Sequence, residues 1–224
     1  SQGLWPMPIL DKELYSWGYN NVGQLGLGDT ATRSSPVQVG ALVTWSQVGM
    51  GYAHTLATTT DGTLWASGQG SYGKLGLGST TNYSSPVQVG ALTTWLQAAG
   101  GYFHSLAIKT DGTLWAFGRN NVGQLGDGTA VDKSSPVQVG ALTTWSKIAA
   151  GQNHCVAIKT DGTFWSWGYN NAGQLGTGNI TNYSSPVQVG ALTTWSNVAS
   201  GSYYILAVKT DGTLWSWGSG SFGA

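Results

Sequence analysis

Three histidines, His54, His104 and His154, stand at steps of 50 residues, with Tyr204 at the next such position. If repeats close into a ring, equivalent imidazoles lie on one circle about the axis, and a tight circle would make a metal site or an acid–base cluster. The expectation here is the other case, in which each ring hydrogen-bonds a backbone group inside its own repeat. Asp61, Asp111, Asp161 and Asp211 follow the same step and each precedes a glycine. None has a D-x-D companion, so a turn role outweighs paired carboxylates or a calcium loop. Cys155 is the one cysteine, and the sequence holds no G-x-S-x-G, no phosphate-cradling Gly-Lys-Ser/Thr string and no Cys/His set at zinc spacing. A catalytic site gathers unlike residues in one place, whereas these repeats are near copies. No catalytic residue, metal ligand or cofactor is expected. Binding chemistry is better represented: Tyr52, Tyr72, Tyr83, Tyr102 and Tyr183 fall in or beside loops, where Tyr stacks on sugar rings or anchors a protein partner. Their competing role is to cover strand edges and the seams between repeats.

The elements that must position these residues are set by one period. SSPVQVGAL begins at Ser34, Ser84, Ser134 and Ser184, and a period of this size marks units that bury their apolar faces only by stacking on neighbours. The unit from Trp95 to Thr144 reads as four short strands, over 95–99, 104–110, 113–118 and 136–139, with no helical period. Leu106 and Ile108 alternate with Ala107 and Lys109. Asp111-Gly112 predicts a type I′ turn between the second and third strands. Pro136 predicts that PVQV is the outer strand of its sheet. A four-stranded antiparallel sheet repeated with glycine punctuation is a propeller blade; a β-solenoid has shorter turns and no Asp-Gly hairpin. The expected fold is all-β: a propeller of four-stranded antiparallel blades, four 50-residue repeats per chain. Its parts are an N-terminal extension at 1–13, a partial unit at 14–44, full units at 45–94, 95–144 and 145–194, and a partial unit at 195–224.

Bulk composition narrows the partners. Charged residues are 8% of the chain against roughly a quarter in ordinary domains. With 9 Lys+Arg against 9 Asp+Glu and no run of either sign, the basic footprint of a nucleic-acid binder is missing. No stretch of 18 apolar residues predicts membrane insertion, and no signal peptide stands within this numbering. The 12 Trp among 35 Gly point to a packed, turn-dense protein rather than a disordered one.

GYFHSLAIKTDGTLWAFGRNNVGQLGDG, GYAHTLATTTDGTLWASGQGSYGKLGLG and GQNHCVAIKTDGTFWSWGYNNAGQLGTG resemble the regulator of chromosome condensation repeat family. The shared order is G-x-x-H-[ST]-L-A, D-G, W-x-W-G and G-Q-L-G, over about nine tenths of the chain. The resemblance implies a β-propeller, typically seven-bladed, whose faces and loops form a protein-binding platform. The family includes a nucleotide exchange factor for a small GTPase, a plant ultraviolet photoreceptor and a secreted bacterial inhibitor of β-lactamase. The exchange factor acts through an inserted wedge, while three repeats here have equal length, so exchange activity is the least favoured reading. The photoreceptor carries Trp in G-W-R-H-T segments, where this chain has GYAHT, GYFHS, GQNHC and GSYYI. Trp65, Trp115, Trp165 and Trp215 instead recur at blade-packing positions.

The two partial units overlap. The unit at 14–44 is equivalent to 64–94 and the one at 195–224 to 45–74, so LYSWG at Leu14 and LWSWG at Leu214 compete for one slot. Asp11-Lys12-Glu13 replaces Asp-Gly-Thr before the first of them, which predicts a terminus there. Blades shaped for a seven-fold ring turn by about 51° each, and closing four needs about 90°, whereas eight blades from two chains need about 45°. The expected assembly is a homo-oligomer in which copies share ring closure. The expected function is that of a non-catalytic structural, adhesive or protein-interaction module, extracellular or part of a phage virion. The alternative is a ligand-binding propeller that takes a carbohydrate or inhibits an enzyme.

Overall fold

The computed structural model describes residues 12–42 and 44–220, so most of the 1–13 extension lies outside the described residues. Strands β1 (Tyr15–Gly18) and β2 (Arg33–Gln38) form a two-stranded sheet. Three four-stranded sheets follow: β3 (Trp45–Met50), β4 (His54–Thr59), β5 (Leu64–Gly68) and β6 (Tyr83–Gln88); β7 (Trp95–Gly100), β8 (His104–Lys109), β9 (Leu114–Gly118) and β10 (Lys133–Gln138); β11 (Trp145–Ala150), β12 (His154–Lys159), β13 (Phe164–Gly168) and β14 (Tyr183–Gln188). The last sheet holds β15 (Trp195–Ser200), β16 (Tyr204–Lys209) and β17 (Leu214–Gly218). Every sheet is an antiparallel meander in chain order. Each fourth strand is therefore outermost, as Pro136 requires, since proline donates nothing to a further ladder. That strand starts at Lys133 rather than Pro136, and a bulge between Lys133 and Val137 accommodates the proline within it.

The hairpin between second and third strands differs from the expected type I′ turn. Gly112 has φ of 76°, but Asp111 keeps a negative φ. Gly112 N donates to Lys109 O at 2.9 Å and Lys109 N to Thr113 O at 3.0 Å. This is a three-residue loop, a type I turn closed by a left-handed glycine. Asp111 selects it: its carboxylate accepts from Thr113 N at 2.9 Å and Thr113 Oγ1 at 2.6 Å, which an Asx turn permits.

The core lies between blades rather than within one. Leu56, Leu64 and Leu75 pack on Ala98, Ala107 and Phe117 of the next blade, and Leu106, Leu114 and Leu125 pack on Ile148, Cys155 and Trp167 of the one after. Second strands that have a blade on either side are consequently buried on both faces, as in β8, where every residue from His104 to Lys109 is buried. First strands β3, β7, β11 and β15 contact one another along the inside of the arc. Their small residues are a steric necessity, since a Cβ on Gly49 would lie 2.4 Å from Ala98 O.

The arc is open. Leu114 is 0% exposed, but its equivalent Leu214 is 65% exposed, with Trp215 at 48%. At the other end Trp17 is 59% exposed. Lys12 bridges Thr44 and its carbonyl accepts from Trp45 N, the bond that Gly62 makes to Trp95.

Candidate interaction face

Loops joining first to second strands and third to fourth strands leave the blades at the same end. The ladder dictates this, because His104 pairs with Gly118 and Arg119 N donates to Phe103 O at 2.9 Å. Residue 103 and residue 119 are thereby set side by side, and the same bond joins Gln69 to Ala53 and Tyr169 to Asn153.

Three of the four third-to-fourth loops share one internal brace. The buried Asn120 accepts from Leu125 N at 2.9 Å and donates to Asp127 and to the carbonyls of Thr129 and Val131. Gln124 Oε1 accepts from Val122 N at 3.0 Å, as Gln24 does from Val22 and Gln174 from Ala172. The second loop breaks both rules: it reads QGSYGKLG, with Gly70 for the Asn and Lys74 for the Gln. An ammonium has no acceptor for the amide two residues back. The loop turns differently, with a short 3₁₀ segment at Ser71–Gly73 and Tyr72 at φ 61°, ψ 8°. Tyr72 is the one non-glycine residue with positive φ among the described residues, a conformation that costs about 1–2 kcal/mol.

Tyr72 and Lys74 of that loop join residues of neighbouring loops in one aromatic and cationic surface. Tyr52 stacks on Tyr102 with centroids 3.9 Å apart and planes at 15°. Tyr102 meets Phe103 at 4.5 Å, and Phe103 meets Tyr72 at 5.2 Å, both edge to face. The Arg119 guanidinium lies 4.9 Å from the Tyr72 ring centre and 5.6 Å from that of Phe103. Lys74 Nζ lies 4.8 Å over Phe103 from the inner side and donates to Gln69 Oε1 at 2.7 Å. Burial pushes the Lys74 ammonium down to about 8. Tyr52 is 66% exposed and Tyr72 40%. Tyr52 and Tyr102 also border the mouth of the axial groove, together with Gln152 and Ser202.

Of the five tyrosines read from sequence, the structure therefore brings together Tyr52, Tyr72 and Tyr102. Tyr83 and Tyr183 open the outer strands β6 and β14 and pack against the seam clusters, and Tyr183 Oη accepts from Asn179 Nδ2 at 3.1 Å. Sequence reasoning missed Phe103, Arg119 and Lys74. The available signal was QGSYGKLG against YNNVGQLG and RNNVGQLG, one loop out of step with its copies.

The histidines correct a second expectation. Each bonds across a seam rather than to its own blade: His54 Nε2 to Ser105 Oγ at 2.9 Å, His104 Nε2 to Cys155 Sγ at 3.0 Å and His154 Nε2 to Ser200 Oγ at 2.9 Å. Ser105 Oγ–H and Cys155 Sγ–H are already given to the carbonyls of Lys74 and Gln124. His54 and His104 must then donate from Nε2, which assigns the tautomer. Burial drives His104 down to about 3, helped by His154, and His154 to about 4. Among the described residues no three His, Cys, Asp or Glu side chains group as metal ligands. At the opposite end the Asp turns hold a repeated stack, in which Lys109 and Lys159 Nζ sit 3.6 Å over Trp115 and Trp165 and the indole Nε1 groups donate to Thr113 and Thr163.

An open arc of four-stranded antiparallel blades carrying loop-built faces is a β-propeller architecture. The chain belongs to the Regulator of chromosome condensation (RCC1) repeat family, whose model matches residues 11–58, 61–108, 111–158 and 161–208. A second model of that repeat matches 45–74, 96–124, 145–174 and 195–224. Among solved structures, human WBSCR16 superposes with a TM-score of 0.82 at 23% identity, over 93% of this chain and 61% of that one. Yeast RCC1 (Prp20), in its structure with Kap60, gives 0.79 at 23% identity, over 93% and 52%. Both show the fold. The Ultraviolet-B receptor UVR8 of Arabidopsis thaliana is 45% identical over 51 residues, 22% of this chain and 12% of the receptor. The chain thus spans about half to six tenths of these solved relatives and a small part of that receptor.

Proposed function

We propose that this chain is a non-catalytic interaction module that engages a protein partner through the face bearing Tyr52, Tyr72 and Tyr102. The observation that carries the reading is the aromatic and cationic cluster in which Tyr72 and Lys74, from the one loop that departs from the repeat, join Tyr52, Tyr102, Phe103 and Arg119 of neighbouring loops. Uniform blades give uniform faces, and a surface that breaks the repeat at the cost of a strained Tyr72 is the mark of a site. Tyr and Arg are also the residues that dominate interface energetics. Relatives whose structures carry partner names support the class: yeast RCC1 is bound by Kap60, and Prp20p is described with its binding to Gsp1p and histones. The low charge and the Ser/Thr/Gly/Asn-rich loops favour a structural or adhesive setting, extracellular or on a virion.

Cross-linking in the producing cells tests the face directly. The double variant Tyr52→Ser, Tyr72→Ser should lose the cross-linked partner, while Leu142→Ser, in the exposed loop between β10 and β11 at the opposite end, should keep it. Equal capture by all three proteins rejects the reading. A glycan array run alongside separates the carbohydrate-binding alternative, which predicts specific sugar binding lost in the same double variant.

A second reading concerns the arc itself. The uncovered faces at Trp17 and Leu214 are where further blade surface docks, and we propose that a second copy supplies it. Among the described residues the last sheet has three strands and the first has two, equivalent to a third and an outer strand, so β2 of one copy has the form that the edge of β17 accepts.

A further inference from the structure

The guanidinium of Arg119 is held without being satisfied. Its recorded interactions are its contacts with the rings of Tyr72 and Phe103, and both ion pairs among the described residues, Arg33–Asp29 and Lys133–Asp127, lie elsewhere. Arginine presents five N–H donors in a planar fork. Held against two rings, that fork has already lost much of its freedom, so less is lost when a ligand binds it. The nearest second cation, Lys74, faces the same Phe103 ring and has one acceptor, the neutral Gln69 amide. Two cations thus meet one ring with no carboxylate paired to either. The nearby acidic side chains are engaged by other groups: Asp127 and Asp132 share the loop of Arg119 but bond within it, Asp132 accepting from Asn120 N and Asp127 from Asn120 and Thr129, while Asp61 and Asp111 cap hairpins at the other end.

We propose that Arg119 anchors a binding site for the carboxylate side chain of an acidic, aromatic-containing peptide segment of a protein partner. The proposal rests on the protein-interaction reading above and names its chemistry. The fork takes the carboxylate in a two-bond, charge-assisted pair, Tyr72 and the Tyr52–Tyr102 stack take the neighbouring apolar side chain, and Lys74 adds charge from beneath. A peptide is favoured over an acidic sugar because Tyr52 and Tyr72 stand out from the surface, a shape suited to a partner that brings walls of its own.

The test is fluorescence anisotropy with a labelled probe, Asp-Glu-Phe-Asp-Glu-Tyr, against its amide counterpart Asn-Gln-Phe-Asn-Gln-Tyr, with soluble polygalacturonate as competitor. The acidic peptide should bind at least tenfold more tightly than the amide form and weaken as salt rises. Arg119→Gln should reduce acidic-peptide affinity at least tenfold, and Arg119→Lys should fall between, since it keeps charge and loses the fork. Unchanged circular dichroism and melting temperature in both variants keep the comparison about binding. Equal binding of the two peptides, or an affinity unmoved by Arg119→Gln, overturns the proposal. Preferential binding of polygalacturonate overturns the peptide assignment. If neither probe binds while the cross-linked partner is still lost in the Tyr52/Tyr72 variant, the acidic class is wrong and the interaction face stands.

Discussion

At the scale of a residue, two exchanges, Gly70 for the bracing Asn and Lys74 for the Gln, mark the loop that departs. Gln124 stabilises its loop by accepting the amide of Val122, and Lys74 at the same repeat position cannot. Tyr72 then sits in the left-handed region, the amine is buried with one acceptor, and both effects cost stability. Lys74→Gln should restore the acceptor, return Tyr72 to negative φ and raise stability by about 1–2 kcal/mol in urea unfolding. The same variant should weaken partner capture, because Tyr72 leaves Phe103 and Arg119. A rise in stability without loss of capture would detach the strain from the function.

At the scale of the element, what matters is the seam between neighbouring blades. Each buried imidazole spans it, His54 and His104 donating to Ser105 and Cys155 and His154 hydrogen-bonded to Ser200, and Ser105 and Cys155 in turn hold a loop carbonyl. Burial keeps the rings neutral, since the bonds themselves would survive protonation of a ring that already donates from Nε2. With folded values of about 3 for His104 and about 4 for His154 against 6.5 unfolded, the unfolded chain binds more protons than the folded one below pH 6.5. Stability is therefore fully present above about pH 6.5 and falls as pH drops toward 4. Each histidine contributes about 1.4 kcal/mol per pH unit within its window. His154→Gln should flatten that slope by about one proton, read from urea midpoints between pH 7 and pH 4. An acid slope identical in wild type and variant would count against the seam assignment.

At the scale of the molecule, the blade seam is both the source of stability and the source of the open ends. Internal seams bury Leu64, Leu114 and Phe164 completely, while Leu214 and Trp215 stay exposed on the last sheet. Burying a Leu-sized side chain is worth about 1.5–3 kcal/mol, so two such ends in one arc favour association. Light scattering of the chain at micromolar concentration should give a mass of two copies, and Leu214→Lys should return it to one. A single-copy mass for the wild type rejects shared closure.

The sequence by itself determined the blade. A strict period, the Asp-Gly hairpins, the outer Pro136 and the central Leu and Ile positions are local signals, because strand pairing, turn type and alternation depend on neighbours a few residues apart. The stretches that differed were also local, since the turn at Thr110–Gly112 was decided by which backbone groups Asp111 caps. Only the tertiary structure decided what crosses a seam. His104 finds Cys155 and Tyr52 finds Tyr102 about one repeat away, and Arg119 meets Tyr72 from the next blade. Such contacts depend on the angle between blades, which no repeat read in isolation contains.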